Sequence, residues 1–274
     1  MARASIHPGL FFCLLSLAFF CLPAHAQEPF RDCPDCPEMV IVPKGGFIMG
    51  SDVGHENERP AHPVKIAKPF ALGRYEVTFD EWQACFDAQA CLRNPDDHKW
   101  GRANRPVMNV TIDDVKQFLA WLSQKSGKRY RLPGEAEWEW AARAGTAGLF
   151  SWGDKMEPGR ANCRGCGDDP FNGFSTAPVG SYPPNAFGLY DMAGNVWEWT
   201  EDCWHPDHTG APKDQKPRGP EANPLPGLPA CMARVMKGGA WYYYAQMSRP
   251  SARARNEGRV LSYVLGFRVA RDVD

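Results

Sequence analysis

The sequence predicts an α+β domain with little regular secondary structure, and three observations carry that expectation. Its 274 residues include 26 Gly and 25 Pro, which punctuate helices and strands alike. They also include 10 Trp, large side chains able to fill a core between irregular segments. Helical periodicity is modest and confined to a few stretches, with short apolar runs of strand type around them.

The first element is a leader. An almost uncharged run from Leu10 to Leu22 follows Arg3 and ends at Ala24-His25-Ala26, giving a basic start, an apolar stretch and a small-x-small cleavage site. A membrane-spanning helix needs roughly 20 apolar residues, and no other stretch approaches that length. Residues 1–26 are therefore expected to be a signal peptide and the mature chain a soluble periplasmic or secreted protein without membrane insertion; the rival is an uncleaved anchor. A short lead-in over 27–37 and one domain over 38–272 complete the organisation. Cleavage removes Arg3 and no acid, leaving 30 Lys and Arg against 32 Asp and Glu. No basic field exists to attract nucleic acid or anionic lipid.

Eight of the ten cysteines remain after cleavage: Cys33, Cys36, Cys85, Cys91, Cys163, Cys166, Cys203 and Cys231. An even number in an oxidising compartment reads as disulfides, although the count does not fix their connectivity. Nearest-neighbour pairing would staple four separate loops. The rival makes Cys33-Pro-Asp-Cys36 or Cys163-Arg-Gly-Cys166 a redox or zinc motif, but neither sits at a strand-to-helix junction or beside a histidine cluster.

Met39 to Met49 forms two apolar runs around Pro-Lys-Gly-Gly, which predicts a hairpin. Thr78-Phe-Asp-Glu81 and Thr111-Ile-Asp-Asp114 place a hydroxyl three residues before an acid, predicting helices near 79–87 and 112–125. In the second helix Val115, Phe118, Leu119 and Leu122 make the core-facing stripe, and Ser126-Gly127 ends it. A third helix follows Arg131-Leu-Pro-Gly, with Glu135 and Glu137 at the positive end of its dipole and Trp138, Ala141 and Ala142 facing inward. Gly145 to Tyr182 and Trp204 to Pro229 read as loops, and Arg234 to Ala270 as short strands in Arg-rich chain.

Seven motifs then appear in one order: Glu38-Met-Val-Ile-Val-Pro, Phe47-Ile-Met-Gly-Ser51, Tyr75-Glu-Val-Thr78, Arg131-Leu-Pro-Gly-Glu-Ala-Glu-Trp138, Gly188-Leu-Tyr-Asp-Met-Ala-Gly-Asn-Val-Trp-Glu-Trp199, Arg234-Val-Met-Lys-Gly-Gly-Ala-Trp241 and Leu265-Gly-Phe-Arg268. Together they span nearly all of the mature chain, which resembles the sulfatase-modifying-factor, or formylglycine-generating-enzyme-like, family. The resemblance implies a single domain of the C-type-lectin-related α+β fold. It also implies, for the best-known members, oxidation of a sulfatase cysteine by oxygen at a copper ion held by two cysteines just after a Gly-Gly. Paired thiolates suit soft cuprous ion. Here the stretch after Gly238-Gly239 reads Ala240-Trp-Tyr-Tyr-Tyr-Ala-Gln-Met-Ser-Arg249, without cysteine, and Cys231 has a candidate partner in Cys203. Copper at that position is not expected.

A second branch of the family makes sulfoxides at non-haem iron with an added helical domain, for which this chain offers no room. His205, His208, His55 and His62 are accordingly read as solvated loop histidines. A third branch serves pyoverdine-type siderophore maturation in the periplasm, compatible with export and absent copper cysteines. The resemblance further implies structural calcium. One site would use side chains of Asp191 and Glu198 with carbonyls of Gly194 and Val196, oxygen donors that suit a hard cation. The rival pairs Glu198 with an arginine and lets Asp191 cap a turn. A second site would use Asn162, the Cys163 carbonyl, Asn172 and the Phe174 carbonyl, with Asn172 standing where an acid is common.

The substrate cleft implied by the family falls at Trp241, Tyr242, Tyr243 and Tyr244, with Arg253 and Arg255 close behind. Trp241, Tyr243 and Arg253 are its candidate contact residues, aromatic core packing being the rival, and Trp197 and Trp199 are read as core. Two function classes stay open: an exported enzyme of oxidative maturation, or a noncatalytic module holding a peptide, a sugar, another small molecule or a protein.

Overall fold

The structure is a computed structural model that describes Met1 and residues 28–220, 231 and 233–273. Almost all of the predicted signal peptide, and much of the loop leading to Pro229, lie outside the described residues. Strands β1 (Met39–Val42), β2 (Gly45–Met49), β3 (His62–Ile66) and β4 (Phe70–Gly73) come first, followed by helices α1 (Phe79–Asp87) and α2 (Ile112–Ser126). Strand β5 (Tyr130–Arg131) and helix α3 (Glu135–Arg143) follow. The remaining strands are β6 (Trp197–Cys203), β7 (Ala233–Lys237), β8 (Arg253–Glu257), β9 (Leu265–Gly266) and β10 (Ala270–Asp272). Among the described residues these strands form three sheets, ordered β1-β4-β10-β5, β2-β3 and β8-β7-β6-β9. The expected α+β architecture with long irregular stretches is what the chain adopts.

The two predicted helix starts are closed by reciprocal caps. Thr78 accepts from the Glu81 amide while Glu81 accepts from the Thr78 amide, and Thr111 and Asp114 repeat the pattern. Gly127, at φ 69°, ends α2 in the left-handed region. Stacked Trp82 and Phe118, both edge-on to Phe267, form the core beneath these helices. The predicted hairpin over 39–49 does not form. Its two strands enter different sheets, β1 pairing with β4 and β2 with β3. The turn is pinned instead on α3, where Trp140 Nε1 donates to the Pro43 carbonyl at 2.8 Å. A Cβ on Gly45 would lie 2.6 Å from the Trp140 ring.

Helix α3 departs most from the expectation, because all nine of its residues are buried rather than one face. Its three acids survive burial because each is bound by a cation from outside the helix. Arg253 grips Glu135 at 2.7 and 2.9 Å, Arg131 grips Glu137 at 2.6 and 2.9 Å, and Lys237 reaches Glu139 at 3.0 Å. The cysteines pair with nearest neighbours: Cys33 with Cys36, Cys85 with Cys91, Cys163 with Cys166 and Cys203 with Cys231.

Candidate ligand cleft and cation-binding loops

The residues expected to line the cleft lie where the chain leaves β7. Gly238 and Gly239 both take positive φ, 99° and 74°, and a Cβ on Gly239 would sit 2.6 Å from Ser248 Oγ. Such a close approach folds the next residues back against the short 3₁₀ turn at Ala245–Ser248. The Trp241–Tyr244 run is therefore a turn and not an alternating strand. Trp241 is buried, whereas Tyr242, Tyr243 and Tyr244 are 44%, 38% and 55% exposed.

Remote loops complete an aromatic surface. Trp241 meets Trp100 edge-on at 5.1 Å and Tyr263 at 5.9 Å, and Tyr243 meets Trp197 at 5.9 Å. Arg164 lies over Tyr242 at 4.4 Å and Tyr244 at 5.7 Å, and its backbone amide donates to the Tyr243 carbonyl. These groups can stack on a ring or chain, donate hydroxyls and offer one guanidinium. They cannot supply a thiolate, since all eight cysteines among the described residues are in disulfides. Arg253 is not part of this surface. It is 2% exposed, bound to Glu135, and donates to the carbonyls of Asn57 and His205. Trp197 and Trp199 are in the core, at 1% and 0% exposure.

The two loops with calcium-type ligands are neighbours. Asn195 N–H donates to the Asn162 carbonyl at 2.8 Å, and a Cβ on Gly194 would lie 2.2 Å from that same oxygen. In the first loop, Asp191 Oδ2 accepts from the Gly180 amide while its buried Oδ1 has no partner. Glu198 is heavily engaged: Arg268 donates to both oxygens at 2.7 Å and Trp138 Nε1 to one of them at 2.7 Å. Both features of the rival reading are thus present. Three of about four acceptor positions on Glu198 are occupied, and one remains. Buried Glu76 adds a third carboxylate beside Asp191 and Glu198, with Arg268 the guanidinium among them. Burial and the two neighbouring carboxylates push Glu76 well above the usual range, and burial lifts Asp191 to about 6. A cation would relieve that surplus.

In the second loop Asn162 donates to the Ser175 carbonyl and Asn195 Oδ1, leaving its own buried Oδ1 unpartnered. Asn172 is also buried with an unpartnered Nδ2, and the reverse orientation of that amide would place Oδ1 there. Free amide oxygens suit a hard cation, so this loop fits calcium at its side chains better than the first.

Sequence reasoning missed a buried polar network beneath α3. It joins Glu135, Glu139, Lys237, Arg143 and Arg253 to Asp202, which burial and Glu135 push up to about 7. The histidines also need correction: His55 is exposed, but His62, His205 and His208 are only 9%, 4% and 3% exposed. The alternation His62, Val64, Ile66 facing inward from β3 is the signal that could have found the first. Burial lowers the His208 imidazole to about 4.

Residues 25–273 match the family described as sulfatase-modifying factor enzyme 1-like domain. The chain is 37% identical to the formylglycine-generating enzyme of Mus musculus, over 86% of this chain and 75% of that protein. It is 39% identical to the formylglycine-generating enzyme of Streptomyces coelicolor, over 86% of this chain and 89% of that one. Among solved structures, PvdO from Pseudomonas aeruginosa superposes with a TM-score of 0.78 at 38% identity, covering 90% of this chain and 98% of PvdO. With its fold, its motifs and its length all in agreement, the chain belongs to the sulfatase-modifying-factor, formylglycine-generating-enzyme-like family.

Proposed function

We propose that this is an exported maturation protein that holds a peptide or small-molecule substrate in the aromatic cleft and acts oxidatively without a copper–dicysteine centre. One observation carries the reading: tyrosines and a tryptophan stand where the family chemistry needs thiols, and every cysteine among the described residues is in a disulfide. Trp241 and Tyr243 are the cleft contacts in this proposal, with Arg164 joining them and Arg253 serving as a support beneath α3. The test is incubation of the disulfide-intact protein with a sulfatase-motif cysteine peptide, cuprous ion and oxygen. No formylglycine should form by mass spectrometry, and its catalytic formation would overturn the proposal. Oxygen uptake with candidate substrates separates an oxidative enzyme from a binding module, which would bind tightly without turnover. Pyoverdine-type siderophore maturation is the second reading, favoured by exposed tyrosines at a surface where the described residues offer no free thiol.

Calcium is the proposed structural cofactor. Asn162 and Asn172 with the carbonyls of Cys163 and Phe174 would hold one ion; Asp191 with the Gly194 and Val196 carbonyls and the spare Glu198 lone pair would hold another. Such ions would stiffen the loops behind the cleft. Dialysis against chelator should lower the thermal midpoint by several degrees, about the effect of ~1–3 kcal/mol of linked binding, and calcium should restore it. Identical melting with and without calcium would remove both sites from the account. Export itself is checked by N-terminal sequencing of the mature chain, expected to begin near Gln27.

A further inference from the structure

Beneath α3, away from the cleft and calcium-type residues, two imidazoles face each other with nothing to bond. The rings of His62 and His208 lie 4.9 Å apart, tilted by 51°, and the buried Nε2 of each lacks a hydrogen-bond partner. A buried polar atom left unsatisfied calls for an explanation. The His62 tautomer is fixed, because Nδ1 lies 3.1 Å from the Pro60 carbonyl, which can only accept. In the neutral ring the proton therefore sits on Nδ1 and the lone pair on Nε2. Hydrogen bonding through the other ring nitrogen is how metal-binding imidazoles are oriented.

A third donor is close by. Met49, buried at the end of β2, is paired directly with His62 across the β2–β3 ladder, and opposite residues project from the same face. Met49 and His208, though not His62, also line one small cavity of about 10 Å³ with Glu135, Asp202, Arg218 and Arg253, which brings the thioether and one imidazole to the same space. Gly50 leaves space for the His208 ring, since a Cβ there would lie 2.9 Å from its Cδ2 and 3.3 Å from its Nε2.

We propose that Met49 Sδ, His62 Nε2 and His208 Nε2 form a binding site for a single cuprous ion. The ring spacing suits it. With a metal–nitrogen bond of about 2.0 Å and a ring centre about 1.1 Å farther on, in-plane ligation puts the rings at an angle of about 100° to each other at the metal. The donor types select the ion: a thioether is soft, imidazole is borderline, and together they favour monovalent copper over zinc or calcium. Among the described residues no group of three His, Cys, Asp or Glu side chains is placed to hold a metal, so a site here needs the methionine. This centre is separate from the cleft and does not depend on the function proposed for it.

The full mature chain, disulfides intact, would be loaded anaerobically with cuprous ion and challenged with a colorimetric cuprous chelator. About one copper per chain should withstand competition, and X-ray absorption should find sulfur as well as nitrogen next to it. M49L should remove the sulfur signal and weaken retention roughly tenfold or more, and H208Q should weaken it further. Circular dichroism would confirm that both variants fold. Failure of the wild-type protein to retain copper overturns the site. So does copper with no sulfur neighbour, and these two wild-type readings stand even if a variant misfolds; retention unchanged in a folded M49L overturns the site as well. Displacement by an equal concentration of zinc would likewise overturn the cuprous assignment.

Discussion

Arg253 shows how much can rest on one side chain in a core short of regular structure. It holds Glu135 with two short charge-assisted bonds, and both groups are almost wholly removed from water. Removing Arg253 leaves Glu135 buried with only the more distant Lys237, 3.7 Å away, to balance it, and breaking a buried pair typically costs about 3–5 kcal/mol. Arg253→Met should lose that much in urea unfolding, whereas the double replacement Arg253→Met with Glu135→Leu should recover a large part of it, because no bare charge remains. Tyr243 stands at the other extreme. It is partly exposed and meets Trp197 and Tyr242 only through its ring. Tyr243→Ala should cost about 1 kcal/mol or less in the same assay while impairing whatever the cleft binds or turns over. A loss comparable to that of Arg253→Met would make Tyr243 a core residue and remove it from the cleft.

Helix α2 was legible in sequence because its determinants are local. Its capping box, its stripe of Val115, Phe118, Leu119 and Leu122, and its left-handed glycine all lie within seventeen residues. Thr111→Ala removes the acceptor for the Asp114 amide and should cost about 1 kcal/mol, read as a lower urea midpoint with an unchanged slope. No change would mean that packing alone fixes the helix start. Strand pairing was less legible. The hairpin signal over 39–49 was a correct reading of two strands and a wrong one of their partners, since β4 and β3 compete for them and the Trp140 clamp lies far along the chain. Helix α3 resembled a surface helix by its acids, yet Arg253 and Lys237, about a hundred positions later, allow those acids inside.

At the scale of the molecule, Gly238-Gly239 marked in sequence where the aromatic turn begins, but the residues that pack around it were not legible. Trp100, Arg164 and Tyr263 arrive from separate loops, and no local pattern announces that they converge on Trp241 and its neighbours. Long-range convergence also sets the response to acid. For Glu135 and Glu139, burial opposes ionisation, but Arg253 and Lys237 respectively outweigh it; for Glu58 burial is outweighed by the hydrogen bonds and charge of Arg249. All three lie below the ordinary value of 4.5, with Glu135 at about 2. The unfolded chain therefore takes up protons on these groups before the native protein does. Their contribution is fully present above pH 4.5 and is lost as the pH falls through each lowered value, which for Glu135 is about 2. Asp202, raised to about 7, acts in the opposite sense: its contribution is fully present below its ordinary value of 3.8 and is lost as the pH rises through 7. Urea midpoints should consequently fall steeply below pH 4.5, and Glu58→Gln, although less stable at neutral pH, should show a shallower acid limb. A flat acid limb in the wild-type protein would mean that these carboxylates do not ionise inside the fold, and the ion-pair account of α3 would fall with it.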